Sequence, residues 1–461
     1  MVRALVYFVQ LAILVAAMVW LADHPGTVNV DFLNYRIESS AAVLIVAAVV
    51  LAAAAALIYR FWRAIRGAPG DFAVWRAERK RRKGYRALTQ GMVAVAAGDA
   101  GEARRQAVKA DVLLGDPPLT MLLSAQAAQL EGDDAAATRY FTAMLDNPET
   151  AFLGVRGLLN QANKAGDRAR ALTYAQRAHA LRPDTPWVLA ALFELQTGVG
   201  QWTDALATLK RMTRQSQVTD AVARRQRAAI LLAQAQAAEA EGAGDRALDL
   251  AKDAIDLVPD LVPAAALATR LYVKRGKTRR ATRTTERIWP LAPHPELAAA
   301  YGAIWADEPA LDRFKAFQRL TQLKPDHGES HIALAEAALE AQLWGAARNH
   351  LDQVRASAPS VRVFRLLARL EEAEHGDVTA ARRWLEEAAN APPVPGWVCG
   401  SCGAAASAWT ALCGHCGAFD RLTWQAPVRV TGTALAAPAP AMAVLAAPDM
   451  AGKPVGPSGA A

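Results

Sequence analysis

The chain repeats itself at a fixed interval. Gly98, Gly132, Gly166 and Gly200 fall 34 residues apart, each followed by Asp or Gln. Five residues after each glycine stands an alanine: Ala103, Ala137, Ala171 and Ala205. The series resumes at Gly242 (Ala247) after about eight extra residues, then continues at Gly276 (Ala281), loosely at Glu308, at Ala341 (Ala346) and at Gly376 (Ala381). Seventeen residues beyond the glycine slot come prolines: Pro183, Pro259, Pro293, Pro325 and Pro393. A unit this short cannot bury its own apolar face, so copies must stack. Each recurring residue has a job in such a stack. Glycine closes a tight turn between two antiparallel helices. Asp caps the second helix, alanine lets the pair approach closely, and proline stops the second helix before the next unit.

This pattern is similar to the tetratricopeptide repeat over roughly residues 88–393, and "GDRARALTYAQRAHALRPD" (166–184) is its clearest copy. The resemblance implies an all-α superhelix over 88–395 with an extended groove for peptides or partner proteins. Composition agrees, because the apolar 53% is dominated by alanine and aromatics are only 7%. "GAGDRA" (242–247) also fits the dinucleotide pattern G-x-G-x-x-A. However, a helical stretch precedes it instead of a strand, and Gly242 and Ala247 fill the repeat's own slots.

Two apolar runs of 19 residues precede the repeats: "ALVYFVQLAILVAAMVWLA" (4–22) and "AAVLIVAAVVLAAAAALIY" (41–59). At 1.5 Å per residue each matches a hydrocarbon core of about 30 Å. Trp20 occupies the slot where a cleaved signal peptide needs a small residue, so both runs are expected to span the membrane. Between them, loop 23–40 alternates apolar and polar residues as a hairpin turning at Leu33-Asn34 would. The loop carries Arg36 against Asp23, Asp31 and Glu38. Residues 60–86 carry ten Lys or Arg against Asp71 and Glu78, which accounts for the whole net charge of +8. The positive-inside rule then predicts an inner-membrane, two-pass chain with both termini in the cytoplasm. The anchor is expected over 1–66 and the basic juxtamembrane segment over 67–87. Contact with anionic lipid headgroups suits that segment; nucleic acid does not, because no stacking aromatic is interleaved in "RAERKRRKGYR" (76–86) beyond Tyr85.

All four cysteines fall in "WVCGSCGAAASAWTALCGHCGAFD" (397–420). In a reducing cytoplasm, disulfides are rare. Cys399/Cys402 and Cys413/Cys416 form two C-x-x-C pairs, each followed by glycine (Gly403, Gly417), as paired metal knuckles require. They predict one tetrahedral S₄ site in a module spanning 396–426. Zn²⁺ is expected there, with a single iron as the alternative. A redox dithiol would need one pair and a βαβ setting. Trp397, Trp409, Phe419 and Trp424 are expected to pack around the site and against the last repeat. The Ala/Pro-rich stretch 427–461 is predicted to be disordered. "HGESH" places His327 and His331 four residues apart, a spacing that could hold a metal or haem on one helix face.

The two spans, "GTVNVDFLNYRIESS", the basic "FWRAIRGAP" and the repeats together resemble the HemY family of Gram-negative inner-membrane proteins, over residues 1 to about 395. The cysteine module is similar to the rubredoxin-like end of the lipopolysaccharide assembly protein B family. These resemblances imply a membrane-anchored adaptor that holds cytoplasmic proteins in its groove, connected to haem or porphyrin metabolism. The alternatives are a haem or porphyrin carrier and a lipopolysaccharide-assembly-type regulatory adaptor. No catalytic constellation occurs, so no enzyme activity and no catalytic residues are expected. The unrelated flavin oxidase that shares the HemY name is not implied, since its dinucleotide fingerprint is missing.

Overall fold

The computed structural model describes residues 26–427 except Leu33, Asn34 and Asp116, together with nine residues between Phe8 and Asp23. The first expected span, 4–22, lies mostly outside the described residues, and so does the tail beyond Pro427. The chain divides into two compact units, Met1–Thr150 and Ala151–Ala461.

In the first unit, β1 (Thr27–Phe32) and β2 (Tyr35–Ser40) pair antiparallel, with Phe32 opposite Tyr35 and Val30 opposite Ile37. This is the register that the expected hairpin requires. One helix then runs from Ala41 to Ala97, 57 residues without a break. Its window Ile45–Arg63 has a mean hydropathy of 2.1 and no buried residue, so it is long and apolar enough to cross a membrane. The helix continues through the expected boundaries at 66/67 and 87/88, and its far end is already the first helix of a repeat. Gly84, Ala87, Gly91 and Ala94 are buried in a line at helical spacing. A side chain at Gly84 would strike Leu114, and one at Gly91 would strike Leu123. These small residues let helices Ala100–Leu114 and Pro117–Glu131 close against the long helix.

Among the described residues the second unit holds seven helix pairs, from Ala151–Lys164 with Arg168–Leu181 to Val361–His375 with Val378–Asn390. The expected turn chemistry is present. Gly166, Gly200, Gly242, Gly276 and Gly376 all have φ between +64° and +78°. Asp167 and Asp377 accept the backbone N–H groups of Arg170 and Ala380 as N-caps. Ala171, Ala205, Ala247 and Ala281 have no exposed surface. Helices end just ahead of the slot prolines, at Leu181, Leu257, Ile288, Thr321 and Asn390.

Two repeats depart from the expected register. The left-handed residue is Gln342 (φ +58°), one position after Ala341, and the buried alanine five residues on is Ala347 rather than Ala346. Near Glu308 no residue adopts positive φ; helix Pro295–Gly302 is short and ends in a 3₁₀ turn, Ala303–Trp305. The eight extra residues before Gly242 are not a loop. They lengthen the first helix of that repeat, Asp220–Ala240, to 21 residues against 13 in Pro186–Gly198.

Candidate metal centre

After helix Val378–Asn390 the chain enters a three-stranded antiparallel sheet of order β4-β3-β5, with β3 at Gly396–Cys399, β4 at Ala405–Ala406 and β5 at Leu422–Gln425. The two cysteine pairs are one turn built twice. In the first, the Gly403 N–H donates to the Cys399 carbonyl (2.8 Å) and the Cys399 N–H to the Ala404 carbonyl (2.9 Å). In the second, the Gly417 N–H donates to the Cys413 carbonyl (2.8 Å) and the Cys413 N–H to the Ala418 carbonyl (3.0 Å). Gly403 and Gly417 have φ +74° and +70°, so both turns need the left-handed conformation that glycine adopts freely. Backbone donors reach the sulfurs as well. The Ser401 N–H donates to Cys399 Sγ at 3.4 Å, and the Cys416 and His415 N–H groups donate to Cys413.

The four Sγ atoms all lie within 4.8 Å of one another. Cys399 and Cys416 are 3.8 Å apart, and Cys402 and Cys413 3.7 Å. A disulfide needs about 2.05 Å, so these sulfurs are not bonded to each other. A tetrahedron with metal–sulfur bonds of about 2.3 Å has edges of about 3.8 Å, so the spacing fits a metal ion. The backbone N–H bonds hold the Cys413 thiol down, to about 6. The Ala404 N–H also works to lower Cys402, but burial and the neighbouring sulfurs outweigh it and push that thiol up to about 12. The thiolate form is therefore favoured at Cys413, which is the form a metal ligand must take.

The module does not sit on the last repeat. Its Trp397, Cys399, Trp409, Ala411, Cys413 and Leu422 share one apolar core with helices Asp220–Ala240, Gly244–Leu257, Val262–Lys274 and Pro295–Gly302. The last two repeats close a separate core around Leu351, Val363 and Leu367. The expectation rested on chain proximity, whereas the module's aromatic side chains join the core of the middle repeats. Phe419 packs edge-on against Phe193 (5.7 Å between ring centres) and lies beside Trp202. His294 packs against both Trp397 and Trp424, with ring centres 5.6 Å and 4.2 Å away. The Trp397 indole N–H donates to Glu296 at 2.6 Å, and Arg225 grips Asp420 through two bonds of 3.0 Å. Phe193, Arg225, His294 and Glu296 all belong to or cap the first helices of their repeats.

The sequence reading missed His294, Arg225 and Arg168. His294 could have been noticed as an N-cap histidine next to a slot proline; the two arginines carry no local signal. His294 is almost fully buried, and its Nδ1 accepts the Glu296 N–H. Burial, then the positive Arg362, lowers it to about 4. His327 and His331 do not converge as a pair. His327 caps helix Gly328–Glu340 by accepting the Glu329 N–H, while His331 lies 3.0 Å from His350 through their Nδ1 atoms.

Comparison with known proteins follows the same division. Residues 26–132 match the model of the HemY protein N-terminus, and residues 162–230 and 314–370 match the tetratricopeptide repeat. The chain therefore carries tetratricopeptide repeats behind a region similar to the HemY N-terminus. It resembles the probable magnetosome protein Mms48 of Magnetospirillum gryphiswaldense, with 28% identity over 431 residues covering 93% of this chain and 94% of that one. Among solved structures, a tetratricopeptide repeat protein of Parabacteroides merdae is 14% identical with a TM-score of 0.27, covering 52% of this chain and 93% of its own. The TPR2AB domain of yeast Sti1 is 14% identical with a TM-score of 0.28, covering 66% and 98%.

Proposed function

We propose that this protein is a two-pass inner-membrane adaptor whose cytoplasmic repeats hold partner proteins near the bilayer, and whose four cysteines bind one structural Zn²⁺. The observation that carries the reading is the continuous helix Ala41–Ala97, which passes from a membrane-length apolar window into the first repeat. A rigid link of this kind suits a protein that must present its repeats at the membrane. The basic residues of 60–86 lie on the same helix, where they would face anionic headgroups. The HemY-type region supports a partner connected to haem or porphyrin metabolism. For the metal, four cysteine sulfurs within 4.8 Å of one another, two pairs of them 3.7–3.8 Å apart, support a closed structural site. Zinc is favoured over iron because nothing in the chain suggests an electron-transfer partner.

In-cell crosslinking from photoreactive residues on the first helices of the repeats tests the adaptor reading. A specific cytoplasmic protein should be recovered, and added haem should give no Soret band. A stoichiometric Soret band lost on replacing both His327 and His331 would sink the adaptor reading in favour of a haem carrier.

A further inference from the structure

We propose that Arg168 and Arg225, supplied by the repeats, are positioning residues of the metal centre, so that metal binding and docking of the cysteine module form one coupled equilibrium. This rests on reading Cys399, Cys402, Cys413 and Cys416 as a metal site.

Both arginines close on the second knuckle from outside the module. Arg225 lies in the eight-residue extension of helix Asp220–Ala240 and binds Asp420, whose carboxylate is almost fully buried, with two parallel bonds. Asp420 follows Cys416 by four residues and holds φ +48°, a conformation that its short side chain tolerates. Its N–H donates to the Ala411 carbonyl (2.8 Å), so it pins the chain on both sides of Cys413 and Cys416. Arg168 opens helix Arg168–Leu181, and its guanidinium lies against Gly417, directly after Cys416. A Cβ at Gly417 would come within 3.1 Å of Nη1 and 3.2 Å of Cζ. The same group donates to the Gly198 carbonyl at 3.4 Å, which ties the knuckle to two repeats. A divalent ion in four thiolates leaves a net charge of −2, and Cys416 is the exposed ligand. A cation beside it and a fixed backbone around it both favour the loaded state.

Groups that orient ligands from outside the first shell commonly change metal affinity about 10–100-fold. Coupling is reciprocal: whatever docking adds to metal binding, metal adds to docking. Without metal the module should loosen from Phe193, Trp202 and Arg225 and uncover that stretch of the first-helix face.

The test uses the full chain in nanodiscs, loaded with Zn²⁺ and challenged with a chromophoric chelator. R225A and R168A should release metal about 10-fold faster or more, R225K and R168K should recover part of the difference, and the remote surface variant R279A should match the parent. Co²⁺-substituted R225A and R168A should show altered thiolate-to-metal absorption, a signature that a defect elsewhere in the repeats would not produce. In the parent, chelation should raise hydrogen exchange in Pro186–Gly198 and Asp220–Ala240, but not in Val361–His375. Equal release rates and unchanged Co²⁺ spectra in all the variants, with the parent fully loaded, overturn the coupling and leave the metal reading standing. A parent that holds less than a tenth of an equivalent of metal overturns both.

Discussion

Single residues decide whether the module stays docked. Gly417 combines φ +70° with the Arg168 guanidinium on its face, so Gly417→Ala meets both backbone strain and a clash. Gly132 has φ +78° but open space around it, so its alanine variant meets the backbone strain alone, about 1–2 kcal/mol. The Arg168 guanidinium is the far end of a flexible side chain and can swing aside, so calorimetry should show a comparable loss for the two variants, while Gly417→Ala alone displaces Arg168 and speeds metal release. His294 sets a pH dependence. Its folded value, about 4, is below the ordinary 6.5, so the unfolded chain binds a proton that the folded one refuses. Stability from this group is complete above pH 6.5 and is lost as pH falls toward 4, by up to about 1.4 kcal/mol per pH unit. Replacing His294 with Asn should flatten the melting temperature between pH 6.5 and 5. An unchanged slope would assign the effect to other groups.

At the scale of elements, the repeats are legible where their chemistry is confined to one position. A residue with positive φ is written as glycine at 98, 132, 166, 200, 242, 276 and 376, and those turns were read correctly from sequence. The turn at 341/342 was misread by one residue because glutamine stands at φ +58°. Gln342→Gly should remove that strain and stabilise the second unit by about 1 kcal/mol, measured as a shift of the urea midpoint. A destabilised variant would mean that the Gln342 side chain contributes more than its backbone costs. The eight-residue insertion was visible only as a gap in the period, since nothing local says that it extends a helix. The fused membrane helix was likewise hidden. Glycine has low helix propensity, but Gly84 and Gly91 are the places where Leu114 and Leu123 come closest.

For the whole molecule, the cysteine set could be read because two C-x-x-C-G turns need no distant partner. Its location could not, because Arg225 and Asp420 are 195 residues apart and neither marks the other in sequence. Helices Pro186–Gly198 and Pro295–Gly302 are therefore covered in part by the chain's own module. Partners of the proposed adaptor would meet the first helices outside that stretch, or the outer face of the module. Topology is testable apart from this: reporter fusions at Ser39 and after Arg86 should report opposite compartments, and the same compartment from both would refute the two-span arrangement.

The central claim is that the four-cysteine module rests on the middle repeats. A photoreactive phenylalanine analogue in place of Phe419 in the full chain, followed by mass mapping of the crosslinked peptides, tests it most directly. The structure requires adducts within 186–214, the segment that carries Phe193 and Trp202. Adducts confined to 361–390, or none within the chain, would contradict it.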